Sequence, residues 1–393
     1  MRREHTVELL QSGAEYFPAL IAAIDASVAE VRFETYIFHF DRMGVQVAQA
    51  LERAAKRGVA VFLVMDGIGT PEVPAEWVQR FNDASVLWHL FSPLGTFGLL
   101  IPGRWRRMHR KLCVVDAAVL FCGGINVLDD LFELGQGLQT SPRFDFAVRV
   151  TGSLVSEAHH AMVQFWQRLL VTRQLERGNL AAARRALQKP AIPAMHSGLP
   201  QGNIAASFVL RDNVRNRRSI ERVYRQAIAH AKHEVLISNA YFLPGAKLRR
   251  ALVHASLRGV KVRLLLQGKY EYFMQFHTTK AFYQSLTRAG VEIYEYRAGY
   301  LHAKVAVIDG SWATVGSSNL DPLSLLLARE ANVVVDDADF ASRLHASLSA
   351  AMSGQSVRIE EQAMGGRPFL QKCKDKVAYG LMRLTLFLTG KDY

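Results

Sequence analysis

A run of the chain, Arg57-Gly58-Val59-Ala60-Val61-Phe62-Leu63-Val64-Met65-Asp66-Gly67, returns two hundred residues later as Arg258-Gly259-Val260-Lys261-Val262-Arg263-Leu264-Leu265-Leu266-Gln267-Gly268. Each copy follows a helical pattern, over 45–56 and 248–257, that stops at a glycine, a common helix end. Each then enters a short apolar, β-branched run of buried-strand type. Upstream, residues 31–38 parallel 234–242, again after a helical segment. Each half therefore predicts helix, strand, helix, strand and one later strand. That alternation implies an α/β fold with a parallel or mixed sheet covered on both faces, built twice. The division expected is 1–171 for the first half, 172–203 for a linker rich in proline (Pro190, Pro193, Pro200), 204–358 for the second half and 359–393 for a tail.

The later strand of each half carries the chemistry. The first has His109, Lys111 and Asp116, then Gly123-Gly124 and Asn126; the second has His302, Lys304 and Asp309, then Gly316-Ser317 and Asn319. The spacing is the same in both. On an extended strand residues two apart share a face, so each histidine and its lysine point the same way. The small pair, including Gly124 and Ser317, lets backbone approach an oxyanion closely, and Asn126 and Asn319 supply neutral donors.

These groups suit transfer at a phosphodiester. Two ammoniums and two amides offset charge on the non-bridging oxygens. One imidazole attacks phosphorus to give a phosphohistidine, and the other protonates the leaving oxygen and then deprotonates the incoming hydroxyl. A carboxylate near a ring nitrogen would orient either imidazole. The cations are built in, so neither a metal nor a cofactor is expected. A single such motif arises by chance on many strands; two at matching places in a repeated chain, each with its trailing asparagine, do not.

At these residues the sequence resembles the phospholipase D superfamily, over about Glu15 to Val335. The resemblance implies a duplicated α/β/α sandwich whose halves are related by a pseudo-twofold axis, with both motifs at the interface. His109, Lys111, Asp116, His302, Lys304 and Asp309 are then the catalytic set, and His109 is the nucleophile by family habit. Residues 315–325, followed by Glu330-Ala331-Asn332, together with Phe33-Glu34-Thr35-Tyr36-Ile37-Phe38, resemble the bacterial cardiolipin synthases. That likeness makes Glu330, in the second half, a candidate for orienting a catalytic histidine, with Asp145 in the matching region of the first. The best-known members of that family begin with two transmembrane helices. None is expected here, so the resemblance is to the shorter B-type form. Ala328 departs from the Asn expected in the run before the downstream acid.

Composition bears on the substrate. Forty-eight Lys and Arg against 35 Asp and Glu leave a formal charge of +13, which favours a polyanionic partner, nucleic acid or an anionic membrane. The basic residues cluster beside apolar ones. Before the first motif, 97–103 is mostly apolar and leads into Arg104, Trp105, Arg106 and Arg107, which suit a loop entering the headgroup region. The tail from Lys372 is too short and charged to span a bilayer, yet apolar enough either to lie in its interface or to pack on the domains. A nuclease would call for an open cationic groove with aromatic stacking platforms, so no nucleic acid is expected. The three cysteines have no metal-ligand spacing.

The resemblance thus implies a phosphatidyl transferase of the cardiolipin synthase type, expected to be peripheral on the cytoplasmic face of the bacterial inner membrane. It would move a phosphatidyl group from phosphatidylglycerol or phosphatidylethanolamine to phosphatidylglycerol. A hydrolytic phospholipase D is the near alternative, an endonuclease of the superfamily the distant one, and a lipid-binding protein without activity a third.

Overall fold

The computed structural model describes residues 1–95, 105–133, 135–176, 178–181, 184, 202–212, 216–270, 273–321 and 328–360, with 371, 374, 375, 377, 378, 380 and 381 near the C-terminus. The first half runs β1 (Arg2–Gln11), α1 (Ser12–Asp25), β2 (Glu30–Thr35), α2 (Arg42–Lys56), β3 (Ala60–Asp66), α3 (Ala75–Asp83) and β4 (Leu87–Phe91). It continues with β5 (Arg107–Met108), β6 (Lys111–Val115), β7 (Val119–Gly123), a small hairpin β8 (Phe132–Glu133) and β9 (Gly137–Leu138), β10 (Phe146–Thr151) and α4 (Leu154–Glu176).

The second half has β11 (Ile204–Arg211), α5 (Ser219–His230), β12 (Glu234–Asn239), α6 (Ala246–Leu257), β13 (Lys261–Gln267), α7 (Phe273–Lys280), α8 (Tyr283–Thr287) and β14 (Glu292–Tyr296). Then come β15 (Lys304–Ile308), β16 (Trp312–Gly316), β17 (Ala328–Asp336), α9 (Ala338–Gln355) and β18 (Ser356–Ile359).

The strand order expresses the duplication. Outward from the central antiparallel pair β1–β11, one arm runs β10, β7, β6, β2, β3, β4 and the other β17, β16, β15, β12, β13, β14, with β18 added at its edge. Each position in one arm has its mate in the other, which is the pseudo-twofold relation of two phospholipase D-like α/β/α halves. Local chemistry sets the matching helices too. Asp41 caps α2 by accepting the Met43 and Gly44 N–H groups. Past α2 and α6 the chain turns at Gly58 and Gly259, at φ of 90° and 88°, a left-handed region open to glycine.

Burial explains how the arms pack. The motif strands β6 and β15 are buried along their whole length, as their apolar runs require. Leu112, Val114, Cys122 and Val148 of the first arm share one core with Val305, Val307, Val315 and Val333 of the second, so the inner faces of the two arms meet. The outer faces are covered separately. Helices α1, α2 and α3 contribute Leu20, Leu51 and Phe81 to the first outer core, and α5 and α6 contribute Ile228 and Leu252 to the second. Apolar area buried on both faces of one sheet, at roughly 25 cal/mol per Å², makes the seam between halves as much a core as either half.

Candidate active site

β6 and β15 begin at Lys111 and Lys304, and the histidines stand just upstream, on segments that reach across the seam. Arg107 and Met108 pair in parallel with Ala328 and Arg329 of β17. The His109 N–H donates to the Arg329 carbonyl at 3.0 Å, and the His302 N–H donates to the Phe144 carbonyl at 2.9 Å. The backbone of each histidine is thus held by the opposite half.

The side chains cross in the same way. Nδ1 of His109 lies 3.2 Å from Oε2 of Glu330, and Nδ1 of His302 lies 2.6 Å from Oδ2 of Asp145. Glu330 is itself fixed by the Ser317 hydroxyl, which donates to it at 2.5 Å. Gly124 stands at the matching place in the first half, and a Cβ there would run into the Asp145 carboxylate. So the small pair of each motif makes room for, or holds, an acid that serves the other motif's histidine. Lys111 Nζ donates to the His109 carbonyl at 2.7 Å, and Lys304 Nζ likewise to the His302 carbonyl.

The centre is largely buried and densely charged. Burial lowers both imidazoles below their usual value; Glu330 opposes this at His109, and both lysines add to it at both rings, with His109 also depressing His302. Burial takes the Lys111 ammonium down to about 7, Glu330 opposing and Lys304 assisting. Burial likewise pushes Asp145 up to about 7 against Lys304 and the Phe146 N–H. Glu330 behaves differently. Burial raises it, but His109, Lys111 and Ser317 outweigh burial and leave it below the usual carboxylate range. His109 therefore faces an ionised acid, which accepts a hydrogen bond from Nδ1–H and leaves the lone pair on Nε2.

A profile described as "Cardiolipin synthase, PLD-like domain" matches residues 20–136 and 224–352. Cardiolipin synthase B of Shigella flexneri is 34% identical over 389 residues, covering 99% of this chain and 90% of that protein. The chain belongs to the cardiolipin synthase family of phospholipase D-like enzymes. Cardiolipin synthase A of Pseudomonas syringae pv. syringae is 28% identical and is covered over 68% of its length, so this chain matches the B-type members nearly end to end and the A-type only in part. Phosphatidylserine synthase of Haemophilus influenzae Rd KW20 shares the fold, with a TM-score of 0.68 at 14% identity over 99% of this chain and 96% of that one.

Within this cardiolipin synthase fold the motif aspartates are not where a catalytic role would put them. Asp116 accepts the Val28, Ala29 and Glu30 N–H groups and Asp309 those of Lys232, His233 and Glu234. Both lie at the far ends of β6 and β15, roughly 16 Å along the strand from the lysines. They anchor the starts of β2 and β12, a correction to the expected catalytic set. Asn126 accepts the Ile37 N–H at 3.2 Å; Asn319 is buried, and its Oδ1 has no partner among the described residues.

The loop expected to touch lipid is divided. Arg106 is exposed and Trp105 partly so. Arg107 turns inward, pairing with Asp66 at 2.9 Å and donating to the Ser92 carbonyl at 2.9 Å, which removes it from the lipid-contact set. Arg104 lies outside the described residues. Asp66 also accepts the Met108 N–H at 2.8 Å and so positions the approach to His109.

Several site neighbours went unassigned in the sequence. The Tyr36 ring sits 4.8 Å from the His109 ring, at 56°, with Lys111 Nζ 5.4 Å from its centroid. Arg110 forms a buried pair with Glu34 on the opposite face of β6. The strand's alternation pointed to that second face, but nothing in the sequence named its partner. Among the described residues no group of three or more His, Cys, Asp or Glu side chains is arranged as a metal site, and no helix is long and apolar enough to cross a membrane.

Proposed function

We propose that this protein is a phosphatidyl transferase of the cardiolipin synthase type, working through a phosphohistidine on His109. The observation that carries the reading is the crossed pairing of His109 with Glu330 and His302 with Asp145, which gathers two imidazoles and two lysines into one charged centre. Lys111, Lys304, Asn126 and Asn319 hold the phosphate oxygens of the donor, phosphatidylglycerol or phosphatidylethanolamine. Nε2 of His109 attacks phosphorus and the bond to the headgroup oxygen breaks, that oxygen taking its proton from His302. A hydroxyl of a second phosphatidylglycerol then gives its proton to His302 and attacks phosphorus, and the P–N bond breaks to release the diphosphatidyl product.

The ionised Glu330 supports His109 as nucleophile, because a carboxylate on Nδ1 stabilises the cationic phosphoimidazole. Asp145, raised to about 7, lets its pair with His302 hold a proton that a bound phosphate anion draws onto the imidazole, which supports His302 as the proton carrier. Water at the second step would give phosphatidate instead, so the identity of the product separates transferase from hydrolase. Substrate in a bilayer and a chain of charge +13 support a peripheral enzyme on the cytoplasmic face of the inner membrane.

The test is incubation of the purified protein with phosphatidylglycerol vesicles, with and without chelator, followed by lipid analysis. A diphosphatidyl product that disappears in His109→Ala and in His302→Ala is expected; full activity in both variants would overturn the mechanism.

A further inference from the structure

The C-terminal segment answers a question that sequence left between two alternatives, packing and lipid contact, because its two faces do different things. The described residues of 371–381 are helical. Asp375 and Ala378, three apart, are 4% and 0% exposed. Asp375 meets Nδ1 of His277 on α7 at 2.7 Å, and His277 lies edge-on to Phe276, over which Lys280 sits at 4.1 Å. The other face is outward. Lys374 is exposed, and Val377 and Leu381 are 57% and 49% exposed at the following i+3 and i+7 positions. One stripe is fastened to the enzyme, and an apolar stripe led by a cation looks away from it.

The place matters as much as the pattern. α7 follows β13, the mate of β3, and β3 ends at Asp66 beside Met108 and His109. Lys269, between β13 and α7, lies 5.4 Å from the ring of Tyr300, two residues before His302. The tail is therefore docked at the end of the molecule where the imidazoles sit. That same end exposes Ile68 and Tyr270 after the matched strands, and Leu138 on the β8–β9 hairpin, at 38%, 52% and 84%. Arg106 adds an exposed cation there.

We propose that the C-terminal helical segment, held on α7 through Asp375 and His277, seats the mouth of the active site on an anionic phospholipid bilayer through Lys374, Val377 and Leu381. A short helix with an apolar stripe and flanking cations lies in the plane of a headgroup layer, and the sign of its charge selects anionic lipid. The inference rests on the lipid reading of the site and deepens it, since it supplies the face through which a bilayer lipid reaches the histidines.

The experiment uses the full chain carrying Val377→Asp with Leu381→Asp, and separately Lys374→Glu, with sedimentation on equimolar phosphatidylglycerol–phosphatidylcholine vesicles. The double variant is expected to lose at least about tenfold in partitioning and the charge reversal about fivefold, both against a wild type that ignores pure phosphatidylcholine. Turnover of a short-chain phosphatidylglycerol below its micellar concentration should stay at the wild-type rate in both variants, which also reports that they fold. His277→Ala should free the tail to limited proteolysis and lower turnover on vesicles but not on the soluble lipid. Sedimentation unchanged in the double variant overturns the proposal, as does wild-type vesicle turnover in His277→Ala. Failure of the wild type to turn over the soluble lipid would instead count against the proposed function.

Discussion

Nδ1 of His302 lies 2.6 Å from the carboxylate of Asp145, although the two residues stand in opposite halves of the duplicated chain. The reciprocal contact, His109 with Glu330, is a different kind of pair: Glu330 is ionised and braced by Ser317, while Asp145 is lifted to about 7. Pseudo-symmetric positions thus carry unlike chemistry. The amide variants should separate them. Glu330→Gln removes the charge that stabilises a phosphohistidine and is expected to slow its formation by about 10²- to 10⁴-fold, the range seen when an orienting carboxylate is replaced by its amide. Asp145→Asn should chiefly slow the step that returns the proton to His302, so that phosphoenzyme accumulates. Rapid-quench labelling with radiolabelled lipid tells the two apart, and equal effects on both steps would remove the assigned asymmetry.

Asp116 and Asp309 supply the opposite expectation. Each takes three backbone N–H groups at the entry to β2 or β12, so Asp116→Ala leaves donors of Val28, Ala29 and Glu30 without their acceptor. The loss should be about 2 kcal/mol of stability, the scale of bonds to a charged group, read as a lower denaturant midpoint. Turnover per folded molecule should stay within about twofold of wild type. A large fall in turnover at unchanged stability would return the aspartate to the catalytic set.

Those aspartates show where sequence reasoning ran out. The repeat and the strand that carries each motif followed from spacing and from the apolar runs of 111–115 and 304–308, because periodicity is a local property, whereas the meeting of the halves was implied only by the family resemblance. The third motif residue lies five positions beyond the lysine, and its distance from the imidazole depends on the strand staying extended, which a list of chemical types does not encode. Pairing across the seam was equally hidden. Glu330 and Asp145 were visible as acids, but only the packing of the two arms says whose histidine each serves. Strand β1 was missed for another reason. In Arg2–Gln11 the apolar residues are few and split between the two faces, Val7 towards the core the arms share and Leu10 towards the first outer core, so no clean alternation marks the strand through which the arms are joined.

Proton linkage gives a third expectation. The Lys111 ammonium is depressed to about 7, mainly by burial. A bound phosphate anion favours its charged form, so binding must take up protons wherever the free enzyme has lost them, above about pH 7. Affinity for inorganic phosphate should then fall as pH rises from 7 towards 9, by up to tenfold per unit, and level off below 7 where Lys111 is already charged. Stability of the empty enzyme carries the matching signs. Asp145, raised by burial, makes folding less favourable as pH climbs from about 4 to 7; the depressed Lys111 makes it more favourable as pH climbs beyond 7. Calorimetry of phosphate binding in buffers of different ionisation enthalpy measures the uptake directly, and a proton count of zero at pH 8 would contradict the depressed lysine.

Tyr36 supplies the last. The residue at the matching place of the repeat is Ala240, so the aromatic ring that flanks His109 comes from a position the second half fills with a methyl group. Its backbone is fixed, with the Tyr36 carbonyl accepting the Thr70 hydroxyl at 3.4 Å and the next N–H bound by Asn126 at 3.2 Å, so the ring's position is set by the fold. A ring packed against the imidazole narrows its rotation about Cβ–Cγ, which keeps Nε2 aimed at phosphorus, and its face offers Lys111 a favourable contact of about 0.5–1 kcal/mol. Tyr36→Phe retains both effects and should keep kcat within about twofold. Tyr36→Ala loses both, and because a small misplacement of a reacting group is worth up to about 10²-fold, kcat should fall by ten- to a hundredfold with KM little changed. Equal losses in the two variants would shift the role from the ring to the hydroxyl, and no loss in either would leave the imidazole held by Glu330 alone.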